Sequence, residues 1–88
     1  MIERLVTIVN PLGLHARPAA QFVKMAATFS SHIELVKDGP AINGKSIMGV
    51  MMLAAECGSS FVIRADGADA ELAVTALSDL IAAGFGEK

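Results

Sequence analysis

Asp38-Gly39-Pro40 is the segment that most limits what this chain can become. It separates two extended stretches: His32 to Lys37, where Ile33 and Leu35 alternate with polar neighbours, and Ala41-Ile42-Asn43. A parallel crossover takes about a dozen residues, so consecutive strands joined by so short a link must run antiparallel. The other elements follow from spacing. Ile2 to Val9 is rich in β-branched residues and stops at the turn cluster Asn10-Pro11-Leu12-Gly13. Ala19, Phe22, Val23, Ala26 and Phe29 then recur at helical spacing, which predicts a helix beginning near Ala16 and fraying by Ser30-Ser31. Ser46 suits the N-cap of a short apolar helix over Ile47 to Leu53. Gly58 breaks the chain before the strand Phe61 to Ala65, and Asp66-Gly67 turns it. Asp69 is expected to cap a final helix carrying Leu72, Ala73, Leu77, Leu80 and Ile81, closed by Gly84 as a C′ glycine with Phe85 as its hydrophobic contact. The order β-α-β-β-α-β-α predicts an α+β fold, an antiparallel sheet with helices on one face of a two-layer sandwich.

Composition narrows the function. A chain of 88 residues is expected to form a single domain over 1–88. At this size folding hides only about 60–65% of the unfolded surface, which excludes a two-domain enzyme with a deep cleft. Apolar residues at 53% and charged residues at 18% are those of a globular protein. A net charge of −2 and a pI near 5.5 give no reason to expect nucleic acid. The single cysteine, Cys57, excludes an intramolecular disulfide framework; it reads as a small packed residue, since no cation flanks it. The longest apolar stretch, Ile47 to Ala55, falls short of the roughly 20 residues a membrane helix needs. Met1-Ile2-Glu3-Arg4 lacks the basic start of a signal peptide. A soluble, cytoplasmic, monomeric protein with no membrane contact is expected. Residues 10–52 carry a net charge of +2 and residues 53–88 of −4, an asymmetry able to orient an acidic partner onto the middle of the chain.

The chemistry concentrates in Leu14-His15-Ala16-Arg17-Pro18. Pro18 is acceptable in a first helical turn, where its missing N–H has no intrahelical partner, and it restricts Arg17 away from ordinary helical geometry. Backbone N–H groups at a helix start, Ala16 foremost, attract anions and disfavour imidazolium, keeping His15 neutral and nucleophilic. A phosphoryl group on the His15 ring would meet those donors and the planar Arg17 guanidinium. Spacing alone also accommodates a capping or surface histidine beside a solvated arginine. No cofactor or metal is expected: only His32 could join His15, and at the start of a strand His32 reads as a structural or surface residue.

Gly13-Leu14-His15-Ala16-Arg17-Pro18-Ala19 resembles the active-site signature of the HPr family, the histidine phosphocarriers of the bacterial phosphotransferase system. Lys45-Ser46-Ile47-Met48-Gly49-Val50-Met51 resembles that family's regulatory serine segment, so the likeness covers the whole chain. The resemblance implies the sheet order 1-4-2-3. It implies that His15 takes a phosphoryl group on Nδ1 from enzyme I, charged by phosphoenolpyruvate, and hands it to IIA-type domains of sugar permeases. Arg17 maps onto the charge-stabilising arginine. Such a protein is a carrier and not an enzyme with a net reaction of its own. The resemblance further implies a kinase and phosphatase acting on Ser46, and a catabolite-control transcription regulator as partner of the modified form.

The second helix has residues of its own to explain. Its apolar side chains run nearly all the way round, and a helix lying on one face of a sheet cannot bury every side. Ile47, Met48 and Met51 are expected to be exposed docking residues, joined by Ala20 of the first helix, with Val50 and Leu53 facing the core. A second reading makes the chain a regulatory binding module acting mainly through Ser46 and this helix; His15 favours the carrier, because regulatory relatives can lack that histidine. A third uses Gly39 to Ser46, which satisfies the phosphate-loop pattern G-x-x-x-x-G-K-[ST] of nucleotide-binding proteins. That machinery requires a parallel sheet and a magnesium-binding carboxylate.

Overall fold

The strand nearest the C-terminus occupies the middle of the sheet. In the computed structural model, which describes residues 1–86, the elements are β1 (Ile2–Thr7), α1 (Ala16–Ala26), β2 (His32–Val36), β3 (Ile42–Asn43), α2 (Ile47–Met52), β4 (Ser60–Asp66) and α3 (Ala70–Ala82). A 3₁₀ turn, Gly84–Gly86, follows. The four strands lie in the order β1-β4-β2-β3, and every neighbouring pair is antiparallel. The fold is the expected α+β sandwich with a four-stranded antiparallel sheet and three helices.

Strand alternation divides the sheet into two faces. Val6 of β1, Ile33 and Leu35 of β2, and Phe61, Ile63 and Ala65 of β4 are buried under the helices. Glu3, Arg64 and Glu34 stand abreast on the other face, in register across β1, β4 and β2. Arg64 Nε lies 3.0 Å from Glu3 Oε2, so the charge that interrupts the apolar run of β4 is paired on the open side. His32 is exposed, with Nε2 3.2 Å from Glu34 Oε2 on the same face.

The helices close the core from one side. Pro18, Ala19, Phe22 and Ala26 of α1, Val50 of α2, and Ala70, Ala73, Val74, Leu77 and Ile81 of α3 are buried. Leu53, one residue beyond α2, is buried with them. Leu72 departs from expectation: it faces solvent and Val74 takes an inward place, because the helix begins at Ala70 and its phase follows Ala70, Ala73, Val74 and Leu77. Phe85 is buried behind Gly84, which takes the positive φ of a C′ residue as expected. Cys57 is another correction. It is exposed, with Sγ 3.8 Å from Val9 O, because Ala55 fills the inward position of that loop.

Asp69 occupies the N-cap position of α3, but its side chain makes no cap hydrogen bond. Its carboxylate instead reaches the α1–β2 loop, accepting from the Ser30 amide at 2.8 Å, the Ser31 amide at 2.9 Å and the Ser31 hydroxyl. Three donors from a distant segment outcompete the helix end. The Ser31 hydroxyl first, and the Ser30 amide next, hold the Asp69 pKa at about 2, against an ordinary 3.8. The folded value is the lower one, so this stabilisation is complete above pH 3.8 and fades as pH falls through 2. Asp69→Asn should lower stability at neutral pH. It should also flatten the loss of stability between pH 4 and pH 2, measured by urea denaturation across that range. A slope equal to the parent's would contradict this.

Candidate functional site

The site is built where two loops clasp. Asn10 is buried and its Nδ2 donates to Gly13 O at 2.8 Å, while the Gly13 amide donates to Asn10 O at 3.1 Å. Gly13 adopts φ +69, and a Cβ there would lie 2.5 Å from Ala55 O and 2.9 Å from Glu56 Cα. Only a glycine lets the loop before α1 come this close to the loop after α2. The Leu14 amide then donates to Ala55 O at 2.8 Å, and the Leu14 side chain enters the core.

His15 follows as the N-cap of α1, extended at φ −81 and ψ −173 and half-buried. Its carbonyl accepts the first helical hydrogen bond from the Ala19 amide at 3.0 Å, and its side chain makes no cap hydrogen bond. Ala16 and Arg17 are the first helical residues, whose N–H groups have no acceptor within the helix. Pro18 has no N–H and is buried. Arg17 is exposed, but it lies inside the helix, contrary to the expectation that Pro18 would hold it out of helical geometry. The preference of a pre-proline residue for extended backbone is outweighed here, because Pro18 and Ala19 are both anchored in the core. Among the described residues, no group of three or more His, Cys, Asp or Glu side chains could hold a metal ion.

The direction of α2 is fixed at both of its ends. Leu14, beside His15, bonds to Ala55 just beyond the C-terminus of α2. Lys45, just before its N-terminus, donates from Nζ to Phe29 O at 2.7 Å, beyond the C-terminus of α1. The two helices therefore pack antiparallel, and Ser46 sits at the end of α2 remote from His15. The helix that lies between them, six residues long, itself spans about 9 Å. Ser46 is the expected N-cap: its Oγ accepts from the Gly49 amide at 3.1 Å.

Between those ends lies an apolar surface. Ile47, Met48 and Met51 are exposed, as expected, and Ala20 is exposed on α1. Sequence reasoning left out Met52 and Leu12, both largely exposed. The signal for Met52 was its spacing, four residues after Met48 on one side of a helix. Leu12 gave no such signal, since only the clasp decides where its turn points. The phosphate-loop pattern is a coincidence of spelling. Ile42 pairs with Leu35, the Gly44 amide donates to Ile33 O at 2.8 Å, the Lys45 amide donates to Asn43 Oδ1 at 2.9 Å, and Lys45 Nζ is engaged with Phe29. Gly39 to Ser46 is an edge strand and its turn, with the Gly44, Lys45 and Ser46 amides and the Lys45 ammonium all bonded to the protein.

A helix opened by histidine and arginine at one end of a one-sided sandwich defines a class. Residues 2–83 match the family described as PTS-HPr, PTS HPr component phosphorylation site, and the chain belongs to that family. Its members are phosphocarrier proteins of the phosphotransferase system. The phosphocarrier protein HPr of Cupriavidus necator is 47% identical over 87 residues, covering 99% of this chain and 98% of that protein. The HPr-like protein Crh of Halalkalibacterium halodurans is 46% identical over 77 residues, covering 88% and 92% respectively. The crystal structure of HPr from Thermoanaerobacter tengcongensis superposes with a TM-score of 0.95 at 49% identity, covering 100% of this chain and 99% of that one.

The clasp yields a graded expectation. Gly13→Ala combines positive φ with a backbone clash and should cost about 2–3 kcal/mol. Gly58→Ala, at φ +89 with nothing within 4 Å of the added carbon, should cost only the backbone term of about 1 kcal/mol. Equal losses on chemical denaturation would show that the Gly13 contact carries no weight.

Proposed function

We propose that this chain is a phosphohistidine carrier, one functional unit over 1–88, that relays a phosphoryl group from phosphorylated enzyme I to IIA-type domains of sugar permeases. The observation that carries the reading is the position of His15 at the N-cap of α1, followed by two first-turn amides that have no acceptor within the helix and by the exposed Arg17 two residues on. The imidazole Nδ1 lone pair attacks the phosphorus, the bond from phosphorus to the donor breaks, and the ring carries the group as a phosphoramidate. Phosphoryl oxygens then accept from the Ala16 and Arg17 amides and from the Arg17 guanidinium, which is exposed and long enough to follow them. Pro18 anchors the turn that positions Arg17. The stabilisation must stay modest, since a carrier has to release what it accepts. Such a relay works where phosphoenolpyruvate is made, in the cytoplasm, with the chain as a monomer.

Partners dock on the apolar surface of α2, through Ile47, Met48 and Met51 with Ala20 of α1. Phosphorylation of Ser46 adds about −1.5 to −2 charge at the N-terminus of α2, where the helix tolerates it. The same charge repels an acidic partner seated on that surface, so the switch acts through docking and leaves the His15 ring alone. A serine kinase, a phosphatase and a catabolite-control transcription regulator complete the set of partners in this reading. The second reading, a regulatory module acting mainly through Ser46 and α2, draws support from the similarity to the HPr-like protein Crh. His15 and Arg17 at the helix entrance favour the carrier.

Incubation with enzyme I and labelled phosphoenolpyruvate should place acid-labile, base-stable label on the chain. His15→Ala should take none, and label on that variant would defeat the assignment. Arg17→Ala should slow transfer about tenfold to a hundredfold. Ser46→Asp keeps a good N-cap residue. It should therefore slow phosphorylation by enzyme I with the melting temperature unchanged, and transfer at the parent's rate would refute the switch.

A further inference from the structure

The apolar surface of α2 is built largely of sulfur. Met48 is 74% exposed, Met51 42% and Met52 73%. These three thioethers fall within five consecutive residues, at the i, i+3 and i, i+4 spacing that sets side chains side by side on a helix. The buried side of the same element contains no sulfur: Val50 and Leu53 attach it to the core. Met25 is partly buried against the core, and Met1, also largely exposed, lies just before β1 and belongs to another part of the surface. Sulfur is thus concentrated where a partner would touch α2 and missing from the positions that hold α2 in place.

From this segregation we propose that Met48, Met51 and Met52 form a reversible oxidation site that switches partner docking without disturbing the fold. The inference rests on the reading of α2 as the docking surface. The oxidant is a peroxide. In hydrogen peroxide the thioether sulfur attacks one oxygen, a new S–O bond forms as the O–O bond breaks, and the proton on the transferred oxygen passes to the departing hydroxide, which leaves as water. Sulfur is oxidised by two electrons and the peroxide is reduced. A methionine sulfoxide reductase supplied with a thiol reductant reverses the step. Each sulfoxide replaces a polarisable apolar contact with a strong acceptor that an apolar partner surface leaves unpaired. Docking weakens, while Val50 and Leu53 keep their packing and α2 keeps its place.

The test uses the full chain carrying Cys57→Ser, so that thiol oxidation cannot contribute. After hydrogen peroxide treatment, peptide mass mapping should find oxygen on Met48, Met52 and the equally open Met1 first, on Met51 more slowly and on Met25 last. The KM for phosphorylation by enzyme I should rise on the order of tenfold, with kcat and melting temperature little changed. Sulfoxide reductase with a thiol reductant should restore the original KM. The triple variant Met48→Leu, Met51→Leu, Met52→Leu keeps Met1 and Met25, and peroxide should leave its KM where it was before treatment. An unchanged KM in chains oxidised at Met48 and Met52 would overturn the proposal, as would an equal peroxide effect on the triple variant or a loss that tracks unfolding. Met48→Asp without peroxide separates the two layers of the argument. If it transfers like the parent, the docking reading fails; if it transfers slowly while oxidised chains do not, only the oxidation switch fails.

Discussion

A sheet covered on one face only is the constraint from which the rest of this molecule follows. The buried rows Ile33-Leu35 and Phe61-Ile63-Ala65 need a lid, and three helices supply it with one side each. Nothing in a two-layer arrangement lies above those helices, so their outer sides face water whatever they carry. The apolar outer side of α2 is therefore a consequence of architecture as much as of composition. A third layer would have hidden Met48 and Met52.

The same architecture sets the geometry at His15. The helices must start and stop at the sheet's ends, and the loops there meet each other. Gly13 against Ala55 and Glu56, with the Leu14 amide on Ala55 O, ties the entrance of α1 to the exit of α2. Lys45 on Phe29 O ties the opposite ends. His15 and Ser46 are in consequence held at opposite ends of one short helix. In the proposed function, a charge change at Ser46 acts on His15 through a partner docked between them.

Asp69 illustrates how strongly the loops are bound to one another. Its position predicts a helix cap, and its backbone does begin α3. Its carboxylate nevertheless serves Ser30 and Ser31, some forty residues earlier in the chain. The helix loses a side-chain cap and the α1–β2 loop gains a fixed anchor, reflected in the depressed pKa of Asp69.

Local sequence determined a great deal here. The link at Asp38-Gly39-Pro40 dictated antiparallel strands, the spacing of Ala19, Phe22 and Ala26 dictated α1, and Ser46 and Gly84 marked helix ends, because steric and hydrogen-bonding preferences act over a few residues. His15, Ala16, Arg17 and Pro18 were legible as a candidate group for the same reason: they lie within one helical turn. The rest depended on what distant segments do to each other. That Asp69 turns from its own helix to Ser31, that Leu72 faces out and Val74 in, that Cys57 is exposed, and that Arg17 stays helical beside Pro18 were all decided by contacts across the fold. So was the placing of Ser46 a helix length from His15. Local preferences amount to about 1 kcal/mol each, and a buried side chain or a set of three hydrogen bonds outweighs them once the chain has folded back on itself.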